Sequence, residues 1–146
     1  MKNIFYLLIV GSRSYCNYNE LCKVCDFLLK YQIIAHRRVV IVSGGAKKGA
    51  DNLAERYADE KGYEKHIMSA DWNKYGKSAG YRRNKNMHSF IAESPYNKRG
   101  VICFWDMKSK GTQHSFKLAK EYNNPLRIFN TISHCFLSDS EVEKYI

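Results

Sequence analysis

Five short apolar segments alternate along the chain with segments that carry apolar residues at helical spacing. The apolar segments are rich in β-branched residues, as is typical of strands covered on both faces; they occupy residues 4–10, 39–42, 65–68, 101–105 and 126–129. The helical patterns occupy residues 21–28, 50–58, 84–91 and 115–122. Because such alternation requires crossovers between parallel strands, the sequence predicts an α/β fold: a Rossmann-like three-layer sandwich with a mainly parallel sheet of about five strands.

The size and composition of the chain favour one globular domain over residues 1–146. Apolar residues make up 45% of the sequence and charged residues 26%, and there are two prolines. The apolar start resembles a secretion signal, but it stops at Gly11 and Arg13 without a cleavage site. No segment has the roughly 18 apolar residues needed to span a bilayer, so we expect a soluble protein of the cytoplasm with no membrane partner.

The formal charge of +10 favours polyanionic partners or phosphorylated ligands. Five cysteines are present, and Cys22 and Cys25 form a C-x-x-C inside a helical pattern. No second Cys or His pair lies at zinc-ligand spacing, and the histidines are scattered singly. We therefore expect packing cysteines in a reducing compartment, no metal site and no cofactor.

Each of the first four predicted strands is followed by a loop that contains glycine and at least one cation. These loops are residues 11–15, 44–51, 70–84 and 105–112. In a parallel sheet they lie at one edge, where helix N-termini add free N–H donors. Their convergence predicts a site for an anionic, phosphorylated ligand. The second loop, GGAKKGAD, matches neither a P-loop nor G-x-G-x-x-G.

Simpler explanations exist for each feature taken alone. Glycines serve turn geometry, and loop lysines are usually solvated. Arg82 and Arg83 open a predicted helix, where cations oppose the helix dipole at a cost of about 0.3–1 kcal/mol each, which hints at a use. The aromatic residues in or beside these loops either stack on a base or belong to the core: Trp72, Tyr75, Tyr81 and Trp105.

Several blocks together resemble the YspA-like, cpYpsA-related branch of the SLOG superfamily. They are G-S-R at 11–13, S-G-G-A-x-x-G-A-D-x-L-A at 43–54, A-D-W-x-x-Y-G-K-x-A-G at 70–80, R-N-x-x-M at 83–87 and S-x-G-T-x-H at 109–114. The resemblance implies a Rossmann-like fold, a nucleotide or nucleotide-derived ligand and a homodimer or higher homo-oligomer. The branch is frequent in bacteria and phages, so a phage protein would work in the host cytoplasm.

The same superfamily includes the Lonely Guy phosphoribohydrolases, which cleave the N-glycosidic bond of nucleoside monophosphates. Arg83, Asn84 and Met87 resemble the R-K-x-x-M motif of these enzymes. Residues 110–112 resemble part of their P-G-G-x-G-T-x-x-E motif. Where that motif has its catalytic glutamate, this chain has the run Gln-His-Ser at 113–115. Without this carboxylate, the oxocarbenium-like transition state lacks its usual stabiliser.

The leading prediction is a protein that binds a nucleotide-type ligand, for example ADP-ribose-like or a cyclic nucleotide, as a sensor or a sequestering protein. The predicted ligand-binding residues are Gly11, Ser12, Arg13, Ser43, Gly44, Gly45, Lys47, Gly49, Asp51, Trp72, Arg83, Asn84, Ser109, Gly111 and Thr112. The resemblance implies that glycines 44, 45 and 49 let amides approach a phosphate.

Two alternatives stay open. A nucleotide N-glycosidic hydrolase would need a positioned carboxylate, for which Asp51, Glu55 or Asp71 are the candidates. A DNA- or RNA-binding protein would fit the net charge, and its affinity would fall steeply with salt. The sequence favours a binding protein over an enzyme.

Overall fold

The computed structural model describes residues 3–146, in which six strands form one sheet in the order β3-β2-β1-β4-β5-β6. Their bounds are Ile4–Gly11 (β1), Arg38–Ser43 (β2), Glu64–Ile67 (β3), Arg99–Trp105 (β4), Leu126–Asn130 (β5) and Cys135–Phe136 (β6). The first five strands pair in parallel, and β6 pairs antiparallel with β5. The α/β fold with a mainly parallel sheet is confirmed.

Helices follow the strands along the chain, and side chains cap the N-termini of several of them. Their bounds are Tyr18–Ile34 (α1), Ala50–Lys61 (α2), Trp72–Tyr75 (α3), Ala79–Ala92 (α4), Lys110–Glu121 (α5) and Asp139–Glu143 (α6). Asn17 caps α1 and Ser109 caps α5, each by accepting from an amide in the first turn. Ser138 and Glu141 form a capping box at the start of α6.

Two hydrophobic clusters cover opposite faces of the sheet, which gives three layers. Along β1 the side chains alternate: Leu7 and Ile9 join the cluster with α1 and α2, whereas Leu8 and Val10 join the cluster with α4 and α5. All seven residues of β4 are buried, as expected of a central strand in a doubly covered sheet. Within residues 3–146, no helix is both long and apolar enough to cross a bilayer.

The structure differs from the sequence prediction at two short elements. The sheet has a sixth strand, β6, formed where the chain turns back after β5 through His134, whose φ is 60°. The third loop contains the short helix α3, and α4 starts at Ala79, before the predicted pattern. Arg82 and Arg83 are therefore the fourth and fifth residues of α4, whereas the sequence predicted that they open the helix.

The strand order places the loops after β1 and β4 side by side at the centre of one edge. From β1 the chain winds outward to β2 and β3, and it returns to the other side of β1 with β4. Ligands bind at such a switch in strand order in open α/β sheets. The loops after β1 and β2 are joined directly, because the amide of Ala50 donates to Ser12 O over 3.1 Å.

Candidate functional site

Two adjoining clefts open at the carboxyl edge of the sheet. The first cleft has a volume of about 490 Å³ and draws its walls from the loops after β1, β2, β3 and β4. Its lining residues are Val10, Gly11, Ser12, Arg13, Ser14, Ala46, Lys48, Asp51, Trp72, Lys77, Gly80, Tyr81, Arg83, Asn84, Met87, Ser109, Gly111 and Thr112. The loops that the sequence singled out therefore converge on one cavity.

The second cleft, of about 440 Å³, lies beside the first. Its lining residues are Arg13, Gly44, Gly45, Ala46, Lys47, Lys48, Ser69, Ala70, Trp72 and Arg83. Arg13, Arg83 and Trp72 line both clefts, as do two residues of the second loop, Ala46 and Lys48. The two cavities are thus neighbouring parts of one edge, separated by shared side chains.

Arg83 is the most heavily engaged cation of the site. Its side chain is 14% exposed, its Nη1 donates to Gly44 O over 2.5 Å, and its Nε donates to Asn84 Oδ1 over 3.0 Å. Burial lowers the pKa of Arg83, the nearby Asp51 raises it, and Arg13 lowers it further. A guanidinium stays protonated through such shifts, so Arg83 is a fixed positive charge between the clefts.

Asp51, in the first turn of α2, places a carboxylate in the first cleft. Its Oδ2 accepts from the Ala46 amide over 3.1 Å and lies 4.0 Å from Arg83 Nη1. Burial raises the pKa of Asp51, while the Ala46 amide and the Arg83 charge act in the opposite direction. A carboxylate among cations can accept a hydrogen bond from a ligand hydroxyl.

The glycines of the second loop allow close packing at this corner. A Cβ on Gly44 would lie 2.6 Å from Arg83 Nη1, and one on Gly49 would lie 2.3 Å from Arg13 Cα. The Gly45 amide already donates to Ser43 Oγ. Gly49, with φ of 82°, lines neither cleft. The positive charge of Lys47 and Lys48 is what this loop offers to an anion.

Two exposed aromatic rings line the first cleft. Trp72 and Tyr81 are each 50% exposed. The Arg13 guanidinium lies 5.7 Å from the centroid of the Trp72 ring, and a Cβ on Gly80 would lie 3.4 Å from that ring. Trp105, by contrast, is 2% exposed, so its ring belongs to the core. Trp72 and Tyr81 are therefore the aromatic surfaces that a ligand can reach.

The fourth loop begins α5 with a tight network. Asp106 accepts from the amides of Lys108 and Ser109. Burial acts to raise the pKa of Asp106, but these amide donors outweigh it, so the pKa is lowered. Ser109 Oγ accepts from the amide and the hydroxyl of Thr112. A Cβ on Gly111 would meet no atom within 4 Å, so this residue faces open space at the N-terminus of α5.

Most of the predicted site residues line a cleft, and two do not. Gly11, Ser12, Arg13, Asp51, Trp72, Arg83, Asn84, Ser109, Gly111 and Thr112 line the first cleft, and Gly44, Gly45 and Lys47 line the second. Gly49 and the fully buried Ser43 line neither. The predicted list omitted eight residues that line the first cleft, although Lys77 was visible as a cation beside Gly76 in the third loop; the eight are Val10, Ser14, Ala46, Lys48, Lys77, Gly80, Tyr81 and Met87.

The alternative catalytic carboxylates lie outside the clefts. Glu55 accepts from Ser43 Oγ over 3.3 Å, and Asp71 caps α3 by accepting from the Lys74 amide. Neither lines the first cleft, which leaves Asp51 as its carboxylate. No group of three or more His, Cys, Asp or Glu side chains within residues 3–146 is placed to hold a metal ion.

Comparison with known proteins gives both a sequence relative and a structural neighbour. The gene 61 protein of Mycobacterium phage D29 is 30% identical over 125 residues, which cover 82% of this chain and 92% of that protein. The structure of DNA processing protein A from Helicobacter pylori, described for its single-stranded DNA binding mode, has a TM-score of 0.64 at 20% identity. That match covers 97% of this chain and 73% of the other.

The sequence also matches a defined family. A predicted subunit of tRNA methyltransferase from Methanocaldococcus jannaschii reaches a TM-score of only 0.35, at 12% identity, and so does not indicate a shared fold. The family described as YspA, cpYpsA-related SLOG matches residues 6–75, which run from β1 to the end of α3 and contain the first two loops of the site and the start of the third. Together with the phage relative, this match shows that the chain belongs to the YspA, cpYpsA-related SLOG family.

Proposed function

We propose that this protein binds a nucleotide or a nucleotide-derived molecule in the first cleft, as a sensor or a sequestering protein. The observation that carries the proposal is the combination of groups around one cavity of about 490 Å³. Arg13, Lys48, Lys77 and Arg83 supply positive charge, and Trp72 with Tyr81 supplies exposed rings. Cavities of about 300–1,000 Å³ are typical of sites for small ligands.

The parts of a nucleotide match different walls of the first cleft. A phosphate fits the start of α5, where Gly111 leaves open space and the helix dipole favours an anion. A ribose hydroxyl fits the carboxylate of Asp51, and a base fits Trp72 or Tyr81. A ligand that lacks any one of these parts would leave its complementary wall unused.

The first experiment is mass spectrometry of small molecules released when the purified protein is denatured, followed by calorimetric titration with nucleoside monophosphates, ADP-ribose and cyclic dinucleotides. We expect binding that Lys77→Gln weakens, since Lys77 lines the first cleft. Lys85→Gln is the matched control, because it removes the same charge from an exposed position of α4 outside both clefts. Absence of any bound or titrated nucleotide would contradict the proposal.

Hydrolysis of the nucleotide is a second candidate, favoured by the environment of Asp51. Burial raises the pKa of this carboxylate, a change that suits a general base. Incubation with nucleoside monophosphates and ADP-ribose, followed by product analysis, tests it. A hydrolase would release a base or a phosphate and lose turnover in Asp51→Asn while retaining some binding. Absence of product from every substrate would leave the binding protein.

Single-stranded nucleic acid is a third candidate. Exposed aromatic rings beside cations, as at Trp72 and Arg13, are the elements with which proteins bind single strands. The structural neighbour from Helicobacter pylori is described for single-stranded DNA binding, which lends this candidate support through the fold alone.

Assembly into a homodimer or higher homo-oligomer is a further proposal. Light scattering on the protein as it elutes from a size-exclusion column tests it.

A further inference from the structure

The second cleft concentrates positive charge that is not neutralised within its own walls. Arg13, Lys47, Lys48 and Arg83 line it, and none of its lining residues is a carboxylate. Asp51, the nearest acid to Arg83, lines the first cleft instead. Four cations around about 440 Å³ repel one another, so an anion placed among them lowers the electrostatic energy.

Arg83 contacts residues of both clefts, and its Nη1 also lies 4.0 Å from Asp51 of the first cleft. Its Nη1 lies against Gly44, which lines only the second cleft. Its Nη2 lies 4.0 Å from the position that a Cβ on Gly80 would take, and Gly80 lines only the first cleft. Because five donors of a guanidinium form a rigid planar fork, one arginine can contact anionic groups on both of its sides.

The two clefts also differ in the chemistry that they offer. The first contains a hydrogen-bond acceptor, Asp51, and the ring of Tyr81, both suited to a nucleoside. The second shares Arg13, Lys48 and Arg83 with the first, adds Lys47, and has no carboxylate among its lining residues. A nucleoside in the first cleft with its phosphate at α5 therefore leaves Lys47, and the second-cleft side of the three shared cations, without an anion.

We propose that the second cleft is a separate anion subsite, so that the ligand carries two phosphates at separate positions on a ribonucleoside framework. A nucleoside 3′,5′-bisphosphate and a dinucleotide both have this chemistry. A 5′-diphosphate does not, because its two phosphates are adjacent and both enter the same subsite. This inference rests on the proposed function of the first cleft and specifies the class of ligand.

Lys47 and Lys77 form a matched pair for the test, since both are exposed lysines but each lines only one cleft. Lys47 lines the second cleft and Lys77 the first. Calorimetric titrations at low salt compare the wild type, Lys47→Gln, Lys77→Gln and the control Lys85→Gln. The probes are the 5′-monophosphate, 5′-diphosphate, 3′,5′-bisphosphate and 5′-phosphorylated linear dinucleotide of adenosine and of guanosine.

We expect the bisphosphate or the dinucleotide to bind about tenfold more tightly than the monophosphate, since a second phosphate adds charge-assisted hydrogen bonds. Lys47→Gln should weaken binding of that probe by about two- to fivefold and leave the monophosphate unchanged. Lys77→Gln should weaken both. Whichever of the two probes binds more tightly identifies the source of the second phosphate.

The failure of this inference differs from the failure of the proposed function. Monophosphate binding with no gain from a second phosphate, or a Lys47→Gln effect equal for all probes, would overturn the second subsite and leave the first cleft as a nucleotide site. Absence of binding by every probe would overturn both. Circular dichroism of each variant confirms that the fold is intact, as expected for substitutions of exposed lysines.

Discussion

Arg83 holds the site together through contacts that a lysine cannot reproduce. Its Nη1 donates to Gly44 O and its Nε to Asn84 Oδ1, so it ties α4 to the loop after β2. Lysine lacks the planar fork and can satisfy only part of this arrangement. We expect Arg83→Lys to reduce the free energy of unfolding by about 1–3 kcal/mol and nucleotide affinity by about tenfold or more.

Denaturant unfolding and calorimetric titration measure the two effects, and Arg82→Lys is the matched control. Arg82 precedes Arg83 in α4 and is exposed. It contacts Ser78 Oγ and the Tyr75 ring and lines neither cleft. Equal losses in the two variants would show that Arg83 has no special role. A loss of stability without a loss of affinity would show that Arg83 acts only in the fold.

Asp51 should lower the stability of the protein at neutral pH. Burial raises its pKa in the folded state above the ordinary value of about 3.9, so folding favours the protonated form. The stability that protonated Asp51 contributes is therefore fully present below pH about 4, and it is lost as the pH rises through the folded-state pKa. We expect Asp51→Asn to melt at a higher temperature than the wild type at pH 7 and at a similar temperature at pH 4.

Thermal melts at these two values of pH check this prediction, with Glu93→Gln as the control for loss of an exposed carboxylate. Asparagine keeps an oxygen that can accept from the Ala46 amide, so the variant isolates the charge. The same variant should bind nucleotides less tightly if Asp51 accepts from ribose. A wild type that is more stable than Asp51→Asn at pH 7 would mean that the attraction of Arg83 outweighs burial.

Gly49 is required for the close approach of two loops, whereas Gly62 is required only for its backbone conformation. Both have positive φ, 82° and 73°, but an added Cβ at Gly49 would lie 2.4 Å from Ser12 O, and one at Gly62 would meet no atom within 4 Å. We expect Gly62→Ala to cost about 1 kcal/mol, from left-handed strain alone. Gly49→Ala should cost several times as much, about 3 kcal/mol or more.

Denaturant unfolding of these two variants compares ordinary left-handed strain at Gly62 with the combined strain and steric conflict at Gly49, whose φ of 82° and ψ of −154° are accessible essentially to glycine alone. Similar costs for the two would mean that the loop after β1 shifts freely to make room at Gly49. The sequence identified Gly49 as a ligand residue because glycine-rich loops often approach phosphates, and that pattern cannot distinguish a phosphate from a neighbouring backbone. Ser43 was predicted as part of the block that carries the family resemblance, and it is buried at the end of β2.

At the scale of elements, α4 and α5 pack against each other through buried polar groups as well as apolar ones. His88 of α4 is fully buried, its Nδ1 lies 3.1 Å from Asn124 Nδ2, and its Nε2 has no partner within residues 3–146. Burial lowers the pKa of His88 to about 4, and His114 acts in the same direction. His88 is therefore a neutral imidazole between α4 and the segment that follows α5.

We expect the free energy of unfolding to fall by about 2 kcal/mol between pH 7 and pH 5 through His88, because the unfolded histidine, with a pKa of about 6.5, takes up a proton that the folded one excludes. The contribution of neutral His88 to the free energy of unfolding is present above pH about 6.5 and is lost as the pH falls toward 4. Denaturant unfolding of the wild type and His88→Gln at both values measures it.

The control for this prediction is His36→Asn, which removes an exposed histidine at a left-handed position that asparagine tolerates. The change in stability with pH should shrink in His88→Gln and persist in His36→Asn. Part of it should remain in both variants, since burial also lowers the pKa of His114. An unchanged pH dependence in His88→Gln would contradict a neutral, buried His88.

The elements that the sequence predicted well are those whose burial imposes a pattern. The strands β1, β2 and β4 are covered on both faces and read as continuous apolar runs, and α2, α4 and α5 show helical spacing. The two short elements that were missed, α3 and β6, have four and two residues, too few for any period to appear. Tertiary contacts form them: β6 exists because a turn brings Phe136 opposite Phe129.

At the scale of the whole molecule, the net charge of +10 is distributed between the clefts and the rest of the structure. Arg99 is buried and donates to Asn124 Oδ1 and Asn123 O, so it serves the fold. Arg38 lies 3.5 Å from Glu64, and Arg37 donates to Asn97 O. Arg99 is thus part of the core, and Arg37 and Arg38 contact neighbouring surface groups, so the charge alone does not indicate a surface that tracks a polyanion.

The dependence of binding on salt therefore separates a nucleotide ligand from nucleic acid. A ligand with one or two phosphates releases few counterions, and we expect its affinity to fall by no more than about tenfold between 50 and 200 mM salt. A polynucleotide that contacts the protein through six or more phosphates would lose about 10³ or more over the same range. Fluorescence anisotropy with a labelled mononucleotide and a labelled single-stranded 20-mer, in parallel salt titrations, measures both slopes. Two variants then show where a polyanion would lie: Lys47→Gln in the second cleft and its control Arg38→Gln on the outer surface. If Arg38→Gln reduces a steep salt slope as much as Lys47→Gln does, the polyanion binds across the outer surface. That result would contradict a cleft ligand.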